Sequence, residues 1–269
     1  MKRRLVLKLG GELLEQPEDL QRLAAGIASM ARRASLVVVH GGGREIDAAL
    51  ATAGIPKRQI DGLRVTDART LDVVVSVLAG AINTRLVAAL RRAGASPVGL
   101  TGADTGVVTV RRAAPVASVA GKTVDLGLVG SPTNSGAPRL LTDLLARGYV
   151  PVVACLGATR AGQVLNVNAD TLASHLAGQL GAQRLVIAGG TAGVLDASGD
   201  TIDQLTSRGA ARLIRTGTAN KGMVAKLEAC RSALRKGVGD VIIVNGRDVP
   251  LETLASAQTL LSGCTQVVR

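Results

Sequence analysis

Two lysines, one aspartate and three glycine-rich segments are the parts of this 269-residue chain whose types and spacing suggest chemistry. Lys8-Leu-Gly-Gly11 closes one apolar run, His40-Gly-Gly-Gly43 closes a second, and Gly189-Gly190-Thr-Ala-Gly193 closes a third. Backbone amides exposed where a strand gives way to a helix bind anions without side chains, and ligands of open α/β sheets collect at the carboxyl ends of strands. Two such loops make a cradle for a phosphoryl group. None of them fits GxxxxGK[ST] or GxGxxG, which excludes the P-loop and the dinucleotide-binding turn. Lys8 lies within an apolar strand pattern, where a charge is expensive to bury unless it has a function. The plainer alternatives stand beside these. A glycine pair is often only a tight turn, Lys226 and Arg64 taken alone are surface charges, and Asn166, Asn168 and Asp170 also read as a turn and the N-cap of a helix from Thr171. His40 reads as a packed strand-end histidine, and His175, inside a helical pattern with no partner in view, as structural.

These residues need a frame. Short β-branched runs at Leu5–Leu9, Leu36–Val39, Tyr149–Ala154, Arg184–Ala188 and Asp240–Val244 read as buried parallel strands. Helical patterns fall between them at about 18–33, 44–53, 67–93, 138–147, 169–180 and 221–236. The longest repeats apolar residues at Leu71, Val74, Val75, Leu78, Ile82, Leu86 and Leu90, one stripe wide. Short alternating pieces at Gly106–Arg111 and Val116–Val129 read as edge hairpins. Alternating β and α elements predict an α/β protein, a three-layer αβα sandwich around a mainly parallel sheet, with one continuous sheet divided into two lobes near residue 180.

Composition removes several classes of function. The chain has one Tyr and no Phe or Trp, too few aromatics for a platform that stacks nucleic-acid bases. Its net charge of +12 comes from 25 Arg and 7 Lys scattered singly or in pairs, which suits a solvated basic surface or an anionic ligand. The apolar stretches, such as Val73–Ile82, fall short of the ~20 residues that span a bilayer. Lys8 and Glu12 interrupt any leader-like start, and the expected location is the cytoplasm. Three widely spaced cysteines with no CxxC predict buried thiols.

KLGG at 8–11, HGGG at 40–43, GLRVTD at 62–67, LNVNAD at 165–170 and GMVAK at 222–226 run in order over almost the whole chain. Together they resemble the amino-acid kinase family, in particular its N-acetyl-L-glutamate kinase branch. The resemblance implies the amino-acid kinase, or carbamate kinase-like, fold as a single domain of two lobes. Residues 1–180 would hold the acyl amino acid and the dimer contact, and residues 181–269 the nucleotide. It implies transfer of a phosphoryl group from ATP, with Mg²⁺ bridging the phosphates, to the side-chain carboxylate of N-acetyl-L-glutamate, the second step of arginine biosynthesis. Carried over by position, Lys8 and Lys226 flank the transferring group and Asp170 stands between them. Gly42, Gly43, Arg64 and Asn166 bind the acceptor. Gly10, Gly11, Gly190, Thr191, Gly193, Leu195, Gly222 and Met223, within the Gly190–Leu195 and Thr218–Met223 stretches, bind the nucleotide. No protein ligand for a metal is implied.

Physical chemistry supports these roles. A side-chain carboxylate with a pKa near ~4.3 is already ionised at neutral pH, so Asp170 organises lysines rather than accepting a proton. Two anions must meet, which calls for fixed cations and amides on both sides of the reacting centre. A planar guanidinium grips the remaining carboxylate. One departure stands out: family members usually carry Ser/Thr-Asp where this chain has Gly189-Gly190. Three other readings stay open. The acceptor could be a different N-acyl-glutamate, or an aminoadipate or glutamate borne on an acidic carrier protein, or the chain could be a non-catalytic amino-acid-binding regulator. The expected assembly is a homodimer through the 67–93 helix, without nucleic acid or membrane. Because the first strand begins by about Arg4, leaving no room for the N-terminal helix of arginine-inhibited relatives, insensitivity to arginine is expected.

Overall fold

Uninterrupted runs of Val, Leu and Ile set the centre of the molecule. The computed structural model describes residues 2–60, 62–117, 123–133, 138–219, 221–255 and 263–269. Eight strands form the main sheet: β1 (Arg3–Leu9), β2 (Ala34–His40), β3 (Pro97–Thr101), β4 (Val150–Ala154), β5 (Arg184–Gly189), β6 (Gln204–Thr206), β7 (Asp240–Asn245) and β8 (Cys264–Val268). Their order is β6-β8-β7-β5-β1-β2-β4-β3. From β7 to β3 every pair is parallel, whereas β8 runs antiparallel to β7 and carries β6 parallel to itself. Both faces are covered, which is why the central strands carry no polar alternation.

The helices are α1 (Pro17–Arg33), α2 (Gly43–Thr52), α3 (Ala68–Arg92), α4 (Arg139–Ala146), α5 (Ala169–Gln179), α6 (Ser207–Arg215) and α7 (Lys221–Arg235). Side-chain alternation assigns the layers. Lys8 and Val39 are partners in register, and Lys8 reaches Asp170 on α5. His40, one residue on, faces the other way and meets Asn83 on α3. Helix α5 packs on α7 and β1, while α1 packs on α3 and β2. The αβα sandwich is therefore as the sequence predicts.

Helix α3 differs from expectation in two ways. At 25 residues it is long and apolar enough, by length and composition, to cross a membrane, which counting unbroken apolar runs does not reveal. Here Val74, Leu78, Ile82, Leu86 and Leu90 bury one stripe of it against the core. Its middle, Ser76–Ile82, is a π-helix. Those five apolar residues recur every fourth position, and in an α-helix of 3.6 residues per turn the stripe would wander by about 160° over that length. The wider turn of a π segment, about 4.4 residues, takes back most of that drift and keeps the stripe on the core.

The edge hairpins are also rearranged. Val110–Arg112 pairs with Val129–Pro132, in a second, four-stranded sheet with Val164–Val167 and Leu156–Ala158. Val116–Ala117 pairs with Thr123–Val124, and residues 118–122 of that expected hairpin lie outside the described residues. The strands β3, β6 and β8 and helix α6 were not anticipated. All three cysteines are buried.

Candidate active site

β1 lies between β2 and β5, so its carboxyl end opens at the point where the chain, having built one half of the sheet, crosses to build the other. A cavity of about 380 Å³ sits there. Lys8, Gly10, Gly11, Gly42, Gly43, Arg64, Asn166, Asp170, Gly222 and Lys226 all line it. These come from five separated segments of the chain, and the fold brings them together as the sequence predicts.

Lys8 is 7% exposed, and its Nζ lies 3.0 Å from Asp170 Oδ1. Burial pulls the ammonium toward neutrality, but the charge and hydrogen bonding of Asp170, with smaller contributions from Glu12 and Cys155, outweigh it and raise its pKa above the ordinary 10.5. Lys8 therefore stays charged at the heart of the site. Asp170 is in the first turn of α5, a favourable place for an anion. Asn168 caps that helix through Thr171 N–H at 3.0 Å, the structural role expected of it. Apart from the ion pair, Asp170 Oδ1 has no hydrogen-bond partner among the described residues.

Close approach dictates the glycines. A Cβ on Gly11 would lie 2.7 Å from Gly42 Cα, so the two loops touch backbone to backbone. His40 holds the second loop from beneath. Its Nδ1 donates to Gly41 O at 3.2 Å, which leaves Nε2 to accept from Asn83 Nδ2 at 3.0 Å, and Asn83 also donates to Val152 O at 3.0 Å. Burial, with the Arg85 charge adding to it, pushes His40 down to about 4, so it is neutral and plays the packed role expected of it. Cys155 faces the cavity too, but burial pushes its thiol up to about 12 and removes it as a nucleophile. His175 is buried beside Lys236 Nζ at 3.4 Å and is not part of the cavity lining.

Arg64 is anchored by one end only. Its Nη2 donates to Gly43 O at 3.2 Å and to Asp47, while Nη1 is buried without a partner among the described residues. Asp47 also holds Lys57, and these hydrogen bonds carry its carboxyl below the usual range against the opposing effect of burial. Asn166 donates from Nδ2 to Thr66 Oγ1 at 3.3 Å, which fixes its amide at the cavity wall. Sequence reasoning missed Glu12 and Asp47. The signal for Glu12 was a carboxylate directly after Lys8–Gly11, and for Asp47 a carboxylate one helical turn after Gly43.

Five expected nucleotide residues are not on the cavity wall. Gly190 ends beyond β5 with its N–H on Glu12. Thr191 and Leu195 are exposed. Gly193, at φ 119°, packs against Thr265, and Met223 is buried in the core. Asn220 of the Thr218–Met223 stretch lies outside the described residues.

Residues 3–245 match the sequence profile of the amino acid kinase family. The chain belongs to that family. Among its relatives, the acetylglutamate kinase of Gluconacetobacter diazotrophicus is 42% identical over 236 residues, 84% of this chain and 75% of the relative. That of Bradyrhizobium diazoefficiens is 40% identical over 248 residues, 90% and 84%. A crystal structure from Streptococcus mutans superposes with TM-score 0.80 at 28% identity, over 100% of this chain and 99% of that one. The N-acetylglutamate synthase of Neisseria gonorrhoeae, complexed with coenzyme A and N-acetyl-glutamate, gives 0.82 at 25% identity, and this chain covers only 59% of its length. The two kinases thus align with most of this chain at about 40% identity, and the two solved structures share its fold.

Proposed function

We propose that the chain is an acetylglutamate kinase, which transfers a phosphoryl group from ATP to the side-chain carboxylate of N-acetyl-L-glutamate in arginine biosynthesis. The observation that carries this reading is the company Arg64 keeps. An unpartnered guanidinium nitrogen, a set of glycine amides and two lysines share one cavity. The free Nη1 suits the α-carboxylate, with Asn166 beside it. The Gly42 and Gly43 amides then face the reacting carboxylate. Lys8, held by Asp170, and Lys226, on α7, stabilise charge on the transferring group from two elements. In-line attack needs no general base, because the acceptor is already ionised. Bound Mg²⁺ neutralises phosphate charge. A Mg²⁺ bound to phosphates keeps several waters and takes one or two carboxylates, and the cavity wall carries the carboxylates of Glu12 and Asp170.

The nucleotide is assigned to the side of the cavity formed by residues 181–269, and the acceptor to the other. The partner is a second copy of the chain, docked on the part of α3 left open by its single buried stripe. Three buried cysteines, widely spaced and without a CxxC, accord with a reducing compartment such as the cytoplasm. Hydroxylamine trapping of acyl phosphate, run with N-acetylglutamate, N-succinylglutamate, glutamate and N-acetylaspartate, tests activity and acceptor together. Absence of product with N-acetylglutamate defeats the proposal.

A further inference from the structure

The carboxylate of Glu12 lies in a slot that glycines leave open. Glu12 belongs to the single turn Gly11–Leu13 that follows β1, yet its side chain reaches the end of β5. Glu12 Oε1 accepts the Gly190 N–H at 3.0 Å. A Cβ on Gly10 would sit 2.4 Å from both carboxylate oxygens, and one on Gly189 would sit 3.0 Å from Oε1. Contacts that short cannot be accommodated without moving the carboxylate. The backbone of Glu12 is pinned as well: Arg247 donates from Nη2 to its carbonyl at 2.6 Å and from Nε to Asp19 at 2.8 Å. Glu12 lines the cavity, its charge is felt by Lys8, and Lys226 Cε is 3.9 Å from the same Gly189 Cβ position. Gly189-Gly190 therefore removes no carboxylate from the end of β5. It makes room for one delivered from residue 12.

We propose that Glu12 makes the nucleotide site select the Mg²⁺ complex of ATP over metal-free ATP. The inference rests on the function proposed above and specifies the ligand form taken at that site. A carboxylate fixed beside the triphosphate repels it when no cation intervenes. With Mg²⁺ on the phosphates the sign reverses. This cation keeps its waters and takes one or two carboxylates in addition to phosphate oxygens, which matches a lone carboxylate with one oxygen held by Gly190. The arrangement also accounts for glycine at position 189, where a side chain would push the carboxylate away.

The test is calorimetric binding of ATP to the intact protein, with Mg²⁺ in one series and with EDTA in the other. The readout is the ratio of the two dissociation constants. Glu12→Gln keeps the volume and the acceptor for Gly190 N–H but removes the charge, and it is expected to collapse the ratio about ten- to hundredfold. Metal-free ATP should bind it more tightly than it binds the wild type. Gly189→Ala should also lower the ratio by displacing the carboxylate. Gly190→Ala, whose Cβ would lie an ordinary 3.6 Å from Glu12 Cγ, should keep it. A wild-type ratio in Glu12→Gln, or an equal fall in Gly190→Ala and Gly189→Ala, overturns the inference. Equal binding of both forms by the wild type overturns it while sparing the proposed function, whereas no binding of either form removes both.

Discussion

Replacing Asp170 by Asn tests the heart of the site through stability as well as rate. The Lys8 and Asp170 side chains are 8% and 9% exposed, with 3.0 Å between the charged atoms. Removing one member of a buried pair leaves an uncompensated charge and costs about 3–5 kcal/mol. Asn keeps the shape and one acceptor oxygen, so the expected loss at pH 7 is about 3 kcal/mol. Its dependence on pH is the sharper signature. In the wild type the folded pKa of Lys8 is above 10.5, so its contribution is fully present below pH 10.5 and is lost only as pH rises through that higher folded value. In the variant, burial acts without its counterweight and the folded pKa falls below 10.5. The penalty is then largest at low pH and fades as the solution approaches 10.5. Urea unfolding at pH 7.0, 8.5 and 9.5 should show the gap between variant and wild type narrowing with pH, alongside a turnover lower by orders of magnitude. A loss under about 1 kcal/mol, or a gap constant over that range, would refute the claim that Asp170 keeps Lys8 charged.

Lys226→Ala should cut turnover by orders of magnitude with a much smaller change in substrate affinity, since in the proposed mechanism the lysine serves charge present chiefly in the transition state. Steady-state kinetics near wild type would remove it from the mechanism. Arg64→Ala should raise the KM for the acceptor at least about tenfold, and Asp47→Asn should do the same more weakly by freeing the guanidinium. A change confined to the nucleotide constant would relocate the acceptor. His40, lowered from 6.5 to about 4, destabilises the fold as pH drops between those values, by about 3 kcal/mol relative to a His40→Gln variant. Parallel acid-unfolding curves for the two proteins would contradict this.

What the sequence made legible is what continuous apolar runs and local spacing encode. β1, β2, β4, β5 and β7 stand out because both their faces are buried. β3 begins with Pro97 and is only partly buried, so it resembles an edge piece. Helix α6 is only nine residues long and fully buries only Ala210, with Leu213 and Ile214 partly buried against the core, too short a segment for its periodicity to stand out. Of the site, Lys8, Asp170, Arg64 and Lys226 were readable from their motifs. Glu12 and Asp47 were not, because their meaning lies in distant partners: Glu12 meets Gly190, 178 residues away, and Asp47 meets Arg64, 17 away on another element. The π segment of α3 was hidden because a four-residue repeat is compatible with an ordinary helix until its drift is summed over several turns.

The place of β1 between β2 and β5 has a consequence for how the chain is made. Leu5 pairs with Arg184, so one side of the central strand finds its neighbour only after just over two thirds of the chain has been synthesised. At ribosomal speeds of ~5–20 residues per second, that side stays open for roughly 10–40 s. During this interval the nascent chain carries an apolar strand edge and a half-built Lys8 site. Chaperone dependence during synthesis, and aggregation of products truncated before residue 184, follow from the same strand order that later builds the cavity at the end of β1.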